Sequence, residues 1–428
     1  MASASSSTGQ RPPRPLSLAL LALIACGDPA AMSASASESQ GTSGGDSAAE
    51  TEAAETEAAS ETDTGDMPIE CAPITVPVVD APGERRFELV ATRSMIPGLA
   101  EQPTSRGQIL GSLFAFDGRL HLGYGDYSDN TGPIAMHAWD PSEGTFVDLG
   151  VLPTEEVLWF RAAAGKLYTP AIDPDTHLGI GGIYRLDCGA EGWKVGTPID
   201  GAVHVYDVAI QGDTIYAGTG SVTGAPALLM ASTDFGESWT EVHRRESAAD
   251  EFSRFYFVGA TPTRMFVSGS HDFASLRDDA GDGEFHVLSD PPPGSLVPVV
   301  LGEAMVIAAF TGNPGRSNHL ASYRVEGPDF IVDSPWPALA DESAKLITWT
   351  ADADPERLLV LMGTADGSAS LHRTDDLSKG ATAWEELTTI DPLEGDDIVS
   401  MALLNNDLYL GTRGGSLYAL REIQEPAR

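Results

Sequence analysis

Eight polar residues stand at or near the ends of short apolar segments, where side chains from different segments could meet. They are Asp126, Tyr127, Asn130, Arg161, Asp173, His204, Asp207 and Arg254. A pair of carboxylates acts as proton donor and nucleophile in sugar hydrolysis, whereas an arginine holds an anion through two parallel hydrogen bonds. These residues are therefore our candidates for a binding surface, and the sequence assigns no catalytic role to any of them.

The richest polar loop has the sequence GYGDYSDNTGPI, from Gly123 to Ile134. It carries Asp126, Tyr127 and Asn130 between glycines, which suits contacts to a sugar or a cation. It does not fit the calcium loop of an EF-hand, because a threonine occupies the position that requires glycine and no glutamate closes the loop. The other interpretation is a turn stabilised by its own Asp and Asn side chains.

Two arginines lie inside apolar segments of an acidic chain, Arg161 in LWFRAA and Arg254 in SRFYFVG. They either line a pocket for an anion or form salt bridges with the many carboxylates. In HVYDVA, His204 and Asp207 begin a segment of the same kind.

The sequence contains no recognisable motif for a metal site or for a catalytic nucleophile. The nine histidines form no H-x-H or H-E-x-x-H pattern and no cluster with cysteine, so we expect no metal site of that kind. No G-x-S-x-G elbow and no P-loop occur. We expect no cofactor, and the acidity of the chain is compatible with a structural divalent cation.

The stretch STDFGESWTEV has the form Ser-x-Asp-x-Gly-x-x-Trp. It resembles the Asp-box, or BNR, signature of sialidases and of other β-propellers. Its four signature residues, Ser232, Asp234, Gly236 and Trp239, each have a structural task in a tight hairpin. The carboxylate accepts turn amides, the glycine permits positive φ, and the indole covers the turn. We predict a structural role for this motif.

Sialidases resemble one another in more than this box. They share an Arg-Ile-Pro near the first strand, three arginines that grip the sugar carboxylate, an acidic proton donor and a Tyr/Glu nucleophile pair. Here only Arg93-Ser-Met-Ile-Pro97 echoes the first of these features. The resemblance therefore predicts a fold more strongly than an activity.

An internal repeat predicts that fold. One strand recurs seven times, as LHLGYG, LYTPAI, IYAGTG, MFVSGS, MVIAAF, LLVLMG and LYLGTR, with starts 47, 48, 50, 40, 53 and 50 residues apart. An apolar strand precedes each copy, and a third strand and an aromatic-led fourth strand follow it. Four short strands at this period are typical of propeller blades. We predict an all-β, seven-bladed β-propeller of four-stranded antiparallel blades.

The seventh unit stops after its third strand, whereas a spare strand, RFELVATR from Arg86 to Arg93, precedes the first unit. We predict that this N-terminal strand completes the seventh blade and closes the ring, because an exposed sheet edge is a liability. In such a ring, ligands bind at the top face, which is the side where the first strands begin and the loops between second and third strands lie.

The N-terminal region resembles that of a bacterial lipoprotein. Two arginines precede an apolar run of ten residues and Leu23-Ile24-Ala25-Cys26, which resembles a lipobox with Cys26 as the lipidated residue. The following Ala-, Ser-, Thr- and Glu-rich segment contains eleven acidic and no basic residues, as in myxobacterial surface lipoproteins, and cannot bury a core. We predict a signal peptide over residues 1–25, a disordered tether over 26–70 and the propeller over 71–428.

The net charge limits the classes of binding partner, and the cysteine content limits the possible disulfides. The chain has 25 basic and 63 acidic residues, and a net charge of −38 disfavours nucleic acid. Besides Cys26 there remain Cys71 and Cys188, which either pair in an exported compartment or stay as free thiols.

Two functions remain open at this point. The first is a lipid-anchored, monomeric binding or scaffold module of the cell envelope, at the outer membrane or cell surface, that contacts a protein or glycan through its top face. The second is a glycan-active hydrolase or lyase with Asp126, Asp173, His204 or Arg254 near the chemistry. Two acidic side chains roughly 5 to 10 Å apart in a pocket at the channel mouth, with Arg161 or Arg254 beside them, would favour the enzyme. Scattered or salt-bridged top-face residues would count against it.

Overall fold

The computed structural model describes most of the chain from residue 85 onward. The described residues are 85–174, 181–269, 276–279, 285–287, 299–301, 304–308, 320–326, 329–333, 345–353, 356–363, 367–374, 384–393, 395–404 and 407–422. They form β-strands, turns and one 3₁₀ turn at Arg93–Met95. Within these ranges no helix is long and apolar enough to cross a membrane. The predicted signal peptide, the tether, Cys26 and Cys71 lie outside the described residues.

The first four sheets follow one another along the chain after β1 (Arg85–Ala91). Sheet 1 contains β2 (Ser112–Phe116), β3 (Arg119–Gly123), β4 (Ile134–Asp140) and β5 (Thr145–Leu152). A separate two-stranded sheet pairs β6 (Thr154–Glu156) with β9 (Ile172–Pro174). Sheet 2 contains β7 (Arg161–Ala163), β8 (Lys166–Pro170), β10 (Ile183–Asp187) and β11 (Lys194–Val195). Sheet 3 contains β12 (His204–Gln211), β13 (Thr214–Gly220), β14 (Ala227–Ser232) and β15 (Thr240–Arg245). Sheet 4 contains β16 (Phe255–Ala260), β17 (Met265–Gly269), β18 (Leu276–Asp279) and β19 (Phe285–Val287).

Three further sheets complete the described fold. Sheet 5 contains β20 (Val299–Leu301), β21 (Ala304–Ala308), β22 (Leu320–Glu326) and β23 (Asp329–Asp333). Sheet 6 contains β24 (Lys345–Ala353), β25 (Glu356–Gly363), β26 (Ala369–Thr374) and β27 (Glu385–Ile390). Sheet 7 contains β28 (Ile398–Leu404), β29 (Asp407–Thr412), β30 (Leu417–Glu422) and the N-terminal β1. The fold is therefore all-β, built of four-stranded antiparallel sheets and compatible with a propeller.

The N-terminal strand pairs with the C-terminal one. In the antiparallel pair β1 and β30, Glu88 lies opposite Ala419 and Leu89 opposite Tyr418. The Glu88 carboxylate also lies 3.1 Å from Nε of Arg421. The strand ends at Ala91, two residues earlier than predicted, because the backbone turns at Arg93–Met95.

Tight hairpins connect the first two strands of several sheets. Asp117 and Gly118 have φ values of 51° and 70°, and Ala164 and Gly165 have φ values of 48° and 68°. Positive φ at both central residues is typical of the type I′ turn, whose twist matches that of the flanking strands. A two-residue loop of this kind fixes the register of the pair and therefore which side chains face the neighbouring sheet.

Successive sheets approach most closely at their first and second strands. A Cβ atom on Gly218 of β13 would lie 2.6 Å from Cγ2 of Val258 in sheet 4, and one on Gly411 of β29 would lie 2.7 Å from O of Leu110, just before sheet 1. Both positions follow the same repeat pattern, Gly-Thr near the end of the second strand. The glycines are therefore required because no side chain fits between these sheets.

A register shift in the first strand carries a polar side chain into the same gap. In β12 the shift lies between Val205 and Asp207, and in β28 it lies between Ile398 and Ser400. Asp207 accepts a hydrogen bond from N of Val258 (3.1 Å), and Ser400 donates one to O of Leu110 (2.7 Å). Asp207 therefore binds the backbone of the first strand of sheet 4, and Ser400 binds the backbone just before the first strand of sheet 1. In both places a buried polar side chain connects two sheets.

We expect Gly218→Ala to destabilise the fold by about 1–3 kcal/mol, because the added methyl group overpacks the gap against Val258. Gly111→Ala is the matched control, since its Cβ would meet nothing within 4 Å, and we expect it to change stability by less than about 0.5 kcal/mol. Urea unfolding measures both. Equal effects of the two substitutions would contradict the close approach of sheets 3 and 4.

Candidate functional site

The loop after β3 is held by its own buried aspartate. Asp126 is 1% exposed, and its carboxylate accepts hydrogen bonds from Oγ1 of Thr104 (2.7 Å) and from N of Ser128 (3.1 Å). Burial acts to raise the pKa of Asp126, but these hydrogen bonds and the charge of Arg106 outweigh it and hold that pKa below its usual range. Asp126 is therefore an ionised structural residue of the loop, with little capacity left for a ligand.

Arg106 joins this loop to the short strand β6. Its Nε lies 3.5 Å from Oδ1 of Asp126, and its Nη2 lies 3.7 Å from Oε2 of Glu156. The guanidinium also stacks on Tyr127, 4.6 Å from the ring centroid. Burial raises the pKa of Glu156 to about 7, although Arg106 and a hydrogen bond from N of Tyr127 favour its charged form. Two carboxylates thus share one arginine.

Asn130 bonds to the short strand β6. With its amide oriented as its neighbours require, it donates to the Glu155 carboxylate at 2.9 Å. It has φ of 50°, which an asparagine tolerates in a turn. Its role is therefore to close the loop.

Asp207 and Arg161 form a buried pair between sheets 2 and 3. The distance from Nη2 of Arg161 to Oδ1 of Asp207 is 3.3 Å, and the carboxylate is fully buried. Burial raises the pKa of Asp207 to about 6, while Arg161 and the amides of Val208 and Val258 oppose that shift. This geometry matches the salt-bridge interpretation of Arg161 and not the anion pocket.

A second group of candidates surrounds Tyr206, which lies between His204 and Asp207 in β12. The Asp173 carboxylate contacts Nδ1 of His204, and the His204 ring lies 5.4 Å from the Tyr206 ring. The Tyr206 ring also packs edge-on against Tyr256 of sheet 4, with centroids 4.9 Å apart. Burial raises the pKa of Tyr206 well above its ordinary value, and its phenol interacts electrostatically with Arg254, Asp173 and Tyr127.

Arg254 completes this group from just before β16. Its guanidinium carbon lies 5.7 Å from the Tyr206 ring centroid and 4.9 Å from that of Phe252. Its backbone bridges to Gly220 at the end of β13, so it stands where sheets 3 and 4 meet. We define the Tyr206 cluster as Tyr127, Asp173, His204, Tyr206, Arg254 and Tyr256.

The structure thus brings together four of the eight predicted residues and separates the other four. Tyr127, Asp173, His204 and Arg254 belong to the Tyr206 cluster, whereas Asp126, Asn130, Arg161 and Asp207 make the local contacts described above. The sequence analysis missed Arg106, Glu156, Tyr206 and Tyr256. The two tyrosines occur 50 residues apart, close to the repeat period, and this spacing could have identified them as equivalent first-strand positions.

The hairpin that contains STDFGESWTEV connects sheet 3 to sheet 2. Oγ of Ser232 accepts a hydrogen bond from N of Gly236 (2.8 Å), and Asp234 accepts one from N of Ser238 (2.9 Å). Hydrogen bonds from Ser238 and Ser232 lower the pKa of Asp234 to about 2. Gly236 has φ of 90° and Trp239 donates to O of Thr197 at 3.1 Å. Every signature residue therefore makes a contact within the hairpin or with the neighbouring sheet.

Cys188 directly follows β10 beside the hairpin between β7 and β8, and it is disulfide-bonded. N of Gly189 donates to Oδ2 of Asp117 in sheet 1 at 2.9 Å, so this turn also contacts the preceding sheet. The proposed partner, Cys71, lies outside the described residues.

The acidic side chains of this region that the structure describes are paired. Asp126, Glu156, Asp173 and Asp207 each pair with an arginine or a histidine. Within the described ranges no group of three or more His, Cys, Asp and Glu side chains has the arrangement of a metal site. What remains is a group of tyrosine rings, one arginine and a His–Asp pair, contributed by the loop after β3, by β9, by β12 and by the start of sheet 4.

Comparisons with solved structures give matches at low sequence identity. The chain is similar to a computationally designed protein, Ika8, with a TM-score of 0.45 and 11% identity, covering 78% of this chain and 99% of that one. It is also similar to a chain in a crystal structure of the mitotic checkpoint complex, with a TM-score of 0.48 and 10% identity over 81% of this chain and 98% of that one. No family model matches the sequence. No curated protein matches it either.

The raised pKa of Glu156 gives a pH-dependent stability. Because the folded-state pKa of about 7 exceeds the ordinary value of 4.5, the folded protein binds the proton more tightly, and stability falls as pH rises between these values. We expect Glu156→Gln to remove this contribution. Between pH 4.5 and 7.5, the free energy of unfolding of the wild type should therefore fall by up to about 3 kcal/mol relative to that of the variant.

Urea unfolding at several pH values measures this difference. Glu143→Gln, at an exposed glutamate in the turn between β4 and β5, is the control and should follow the wild type. A difference between Glu156→Gln and wild type that stays constant with pH would contradict the account of Glu156.

Proposed function

We propose that the seven four-stranded sheets form a closed, seven-bladed β-propeller, with β1 as the closing strand. Two observations support a ring. Ser400 in sheet 7 donates to the backbone that leads into sheet 1, as Asp207 in sheet 3 accepts from sheet 4. The sheet that contains the C-terminal strands also takes its fourth strand from the N-terminus of the fold.

The propeller acts, in this proposal, as a binding or scaffold module for a protein or glycan partner. The single observation that carries it is the Tyr206 cluster. Tyrosine rings and an arginine are the side chains that most often supply binding energy at protein surfaces, and tyrosine faces also suit sugar rings. The cluster lies where first strands begin, with Tyr127 contributed by the loop after β3 and Asp173 by the short strand β9 that follows β8.

The glycan-active enzyme is the weaker alternative. Hydrolysis needs one carboxylate free to donate a proton and a second to attack or to activate water. Asp126 and Glu156 share Arg106, and Asp173 contacts His204. Their contacts therefore favour binding over chemistry, and nucleic acid is disfavoured by the net charge of −38.

The proposal places the module in the cell envelope as a monomer anchored by lipid on Cys26. The lipobox resemblance and the acidic segment after it support this location, at the outer membrane or cell surface. A tether of about 45 residues would give the binding face reach from the membrane.

A binding screen of the full chain against immobilised glycans and secreted proteins tests the function. We expect a specific ligand, and we expect the double variant Tyr127→Ala/Tyr256→Ala to weaken it by at least about 30-fold, because aromatic anchors dominate binding energy. The control is Val195→Ala/Val242→Ala, which changes exposed side chains on outer strands. Binding that survives the tyrosine variant and fails in the valine variant would place the site elsewhere.

Replacement of the proposed lipidation residue tests the anchoring. We expect Cys26→Ser to move the protein from the membrane fraction to the soluble fraction, because no diacylglycerol can be attached. Cell fractionation followed by immunoblotting measures this. A variant that stays in the membrane fraction would rule out lipid on Cys26 as the anchor.

A further inference from the structure

The disulfide of Cys188 has two candidate partners within the chain. Cys188 is disulfide-bonded, and the sequence contains two further cysteines, Cys26 and Cys71. In the proposed function the sulfur of Cys26 carries the lipid, so it is not available for a disulfide. Within one chain this leaves Cys71, which directly follows the predicted tether.

Hydrogen bonds fix Cys188 at the junction of sheets 1 and 2. Its backbone N donates to O of Gly165 at 2.9 Å, in the hairpin between β7 and β8. The next residue, Gly189, donates from its backbone N to Oδ2 of Asp117 at 2.9 Å, in the first hairpin of sheet 1. The sulfur of Cys188 is therefore held at a defined position on the fold.

One hydrophobic core connects this position to the N-terminal strand. The core contains Ala91 of β1, Leu113 of sheet 1 and Leu186 of sheet 2, and Cys188 packs against it. The strand β1 therefore shares a core with Cys188, although it belongs to sheet 7. A bond between Cys188 and the chain just before β1 would span the three sheets that this core joins.

Both ends of such a connection lie on the same side of their sheets. Arg85, the first residue of β1, pairs with Glu422 at the end of β30, which is the third strand of sheet 7. Cys188 directly follows β10, the third strand of sheet 2. Antiparallel strands alternate in direction and first strands begin at the top face, so third strands end on the opposite side. The connection does not have to cross the top face.

The segment between Cys71 and β1 is long enough for this path. Residues 72–84 lie outside the described ranges and have the sequence APITVPVVDAPGE. Its three prolines favour an extended chain of about 3.1 Å per residue, which gives a reach of about 40 Å. Sheets that pack face to face lie about 10 Å apart, so two steps, from sheet 2 to sheet 1 and on to sheet 7, are within this reach.

We propose that Cys71 and Cys188 form a disulfide that clasps the N-terminal strand β1 to sheets 1 and 2. The bond keeps β1 next to β30 when the hydrogen bonds between these two strands open. This inference goes beyond the binding function, and it rests on the proposed lipidation of Cys26.

The two thiols lose two electrons and two protons when the S–S bond forms. The oxidant is a reactive protein disulfide of an exported compartment, which the exchange reduces to two thiols. The bond closes a long loop, from residue 71 to residue 188, and a disulfide of this kind stabilises a protein mainly by restricting its unfolded chain.

Peptide mapping of the full chain tests the pairing. Digestion without reductant, followed by mass spectrometry, should give one cross-linked pair of peptides that contains Cys71 and Cys188 and that separates on reduction. A free Cys71 would overturn the inference, and so would a bond between two copies, seen as a dimer on a non-reducing gel. Both results would leave the proposed anchoring and binding intact. A bond between Cys26 and Cys188 would overturn the inference together with the proposed lipidation.

Thermal unfolding and hydrogen exchange test the clasp. We expect Cys71→Ser to lower the unfolding midpoint by about 5 °C or more, because the unfolded chain regains its freedom. We also expect the β1 amides of this variant to exchange at least about tenfold faster, because β1 is then held by β30 alone. Reductant should have the same two effects on the wild type, and this measurement decides if Cys71→Ser does not fold.

The matched control is Cys26→Ser, which makes the same chemical change outside the proposed bond. It should keep the cross-linked peptide pair, the unfolding midpoint and the slow exchange of β1. A wild type that contains the Cys71–Cys188 bond, but whose midpoint and β1 exchange do not change when the bond is removed, would overturn the clasp.

Discussion

Successive sheets approach closely at their first strands, and the other features of the structure depend on this close approach. In two repeats the second strand contributes a glycine there, Gly218 or Gly411, because a Cβ would collide with the neighbouring backbone or side chain. The first strand contributes a polar residue at a register shift, Asp207 or Ser400, which bonds to that neighbouring backbone. A sheet packed this closely cannot rotate without breaking a buried hydrogen bond, so the first strands hold a fixed geometry.

That fixed geometry positions the Tyr206 cluster. Tyr206 directly precedes Asp207 in β12, and Tyr256 stands two residues before Val258, whose amide Asp207 binds. The same interaction that joins sheets 3 and 4 therefore sets the distance between the two tyrosine rings. Residues on rigid strands hold a binding geometry more accurately than residues on loops. In this cluster only Tyr127 and Arg254 lie outside the named strands, and Arg254 directly precedes β16.

The sequence predicted the strands well because the repeat is strong. The second strands, their 40- to 53-residue spacing and the aromatic residues that open the fourth strands are all visible as patterns of residue type. The pairing of β1 with the C-terminal sheet followed from a missing strand at one end and a spare one at the other. The register shifts in β12 and β28 were not predicted, because a one-residue bulge leaves no clear mark on an alternating pattern.

The candidate site was predicted less completely. Periodicity indicates which side of a strand a residue occupies, but it does not indicate which residue of another repeat lies opposite. Arg106 and Glu156 lie outside the recurring strand pattern, and they contact Asp126 and Tyr127 through the fold alone. Tyr206 and Tyr256 were not identified as candidates, since a tyrosine in an apolar strand segment has no mark that separates it from a core residue. Their interaction with Arg254 depends on two sheets meeting at Gly220.

The central claim is that the N-terminal strand is an integral part of a closed ring, and native-state hydrogen exchange of β1 tests it most directly. If the ring is closed, the β1 amides that bond to β30 are released only in the unfolding event that releases β28, β29 and β30. Their exchange then shows the same denaturant dependence as that of sheet 7. Rapid exchange of β1 while β28 to β30 stay protected would contradict the claim, because the strand would then be an appendage to the sheet and not the element that closes the ring.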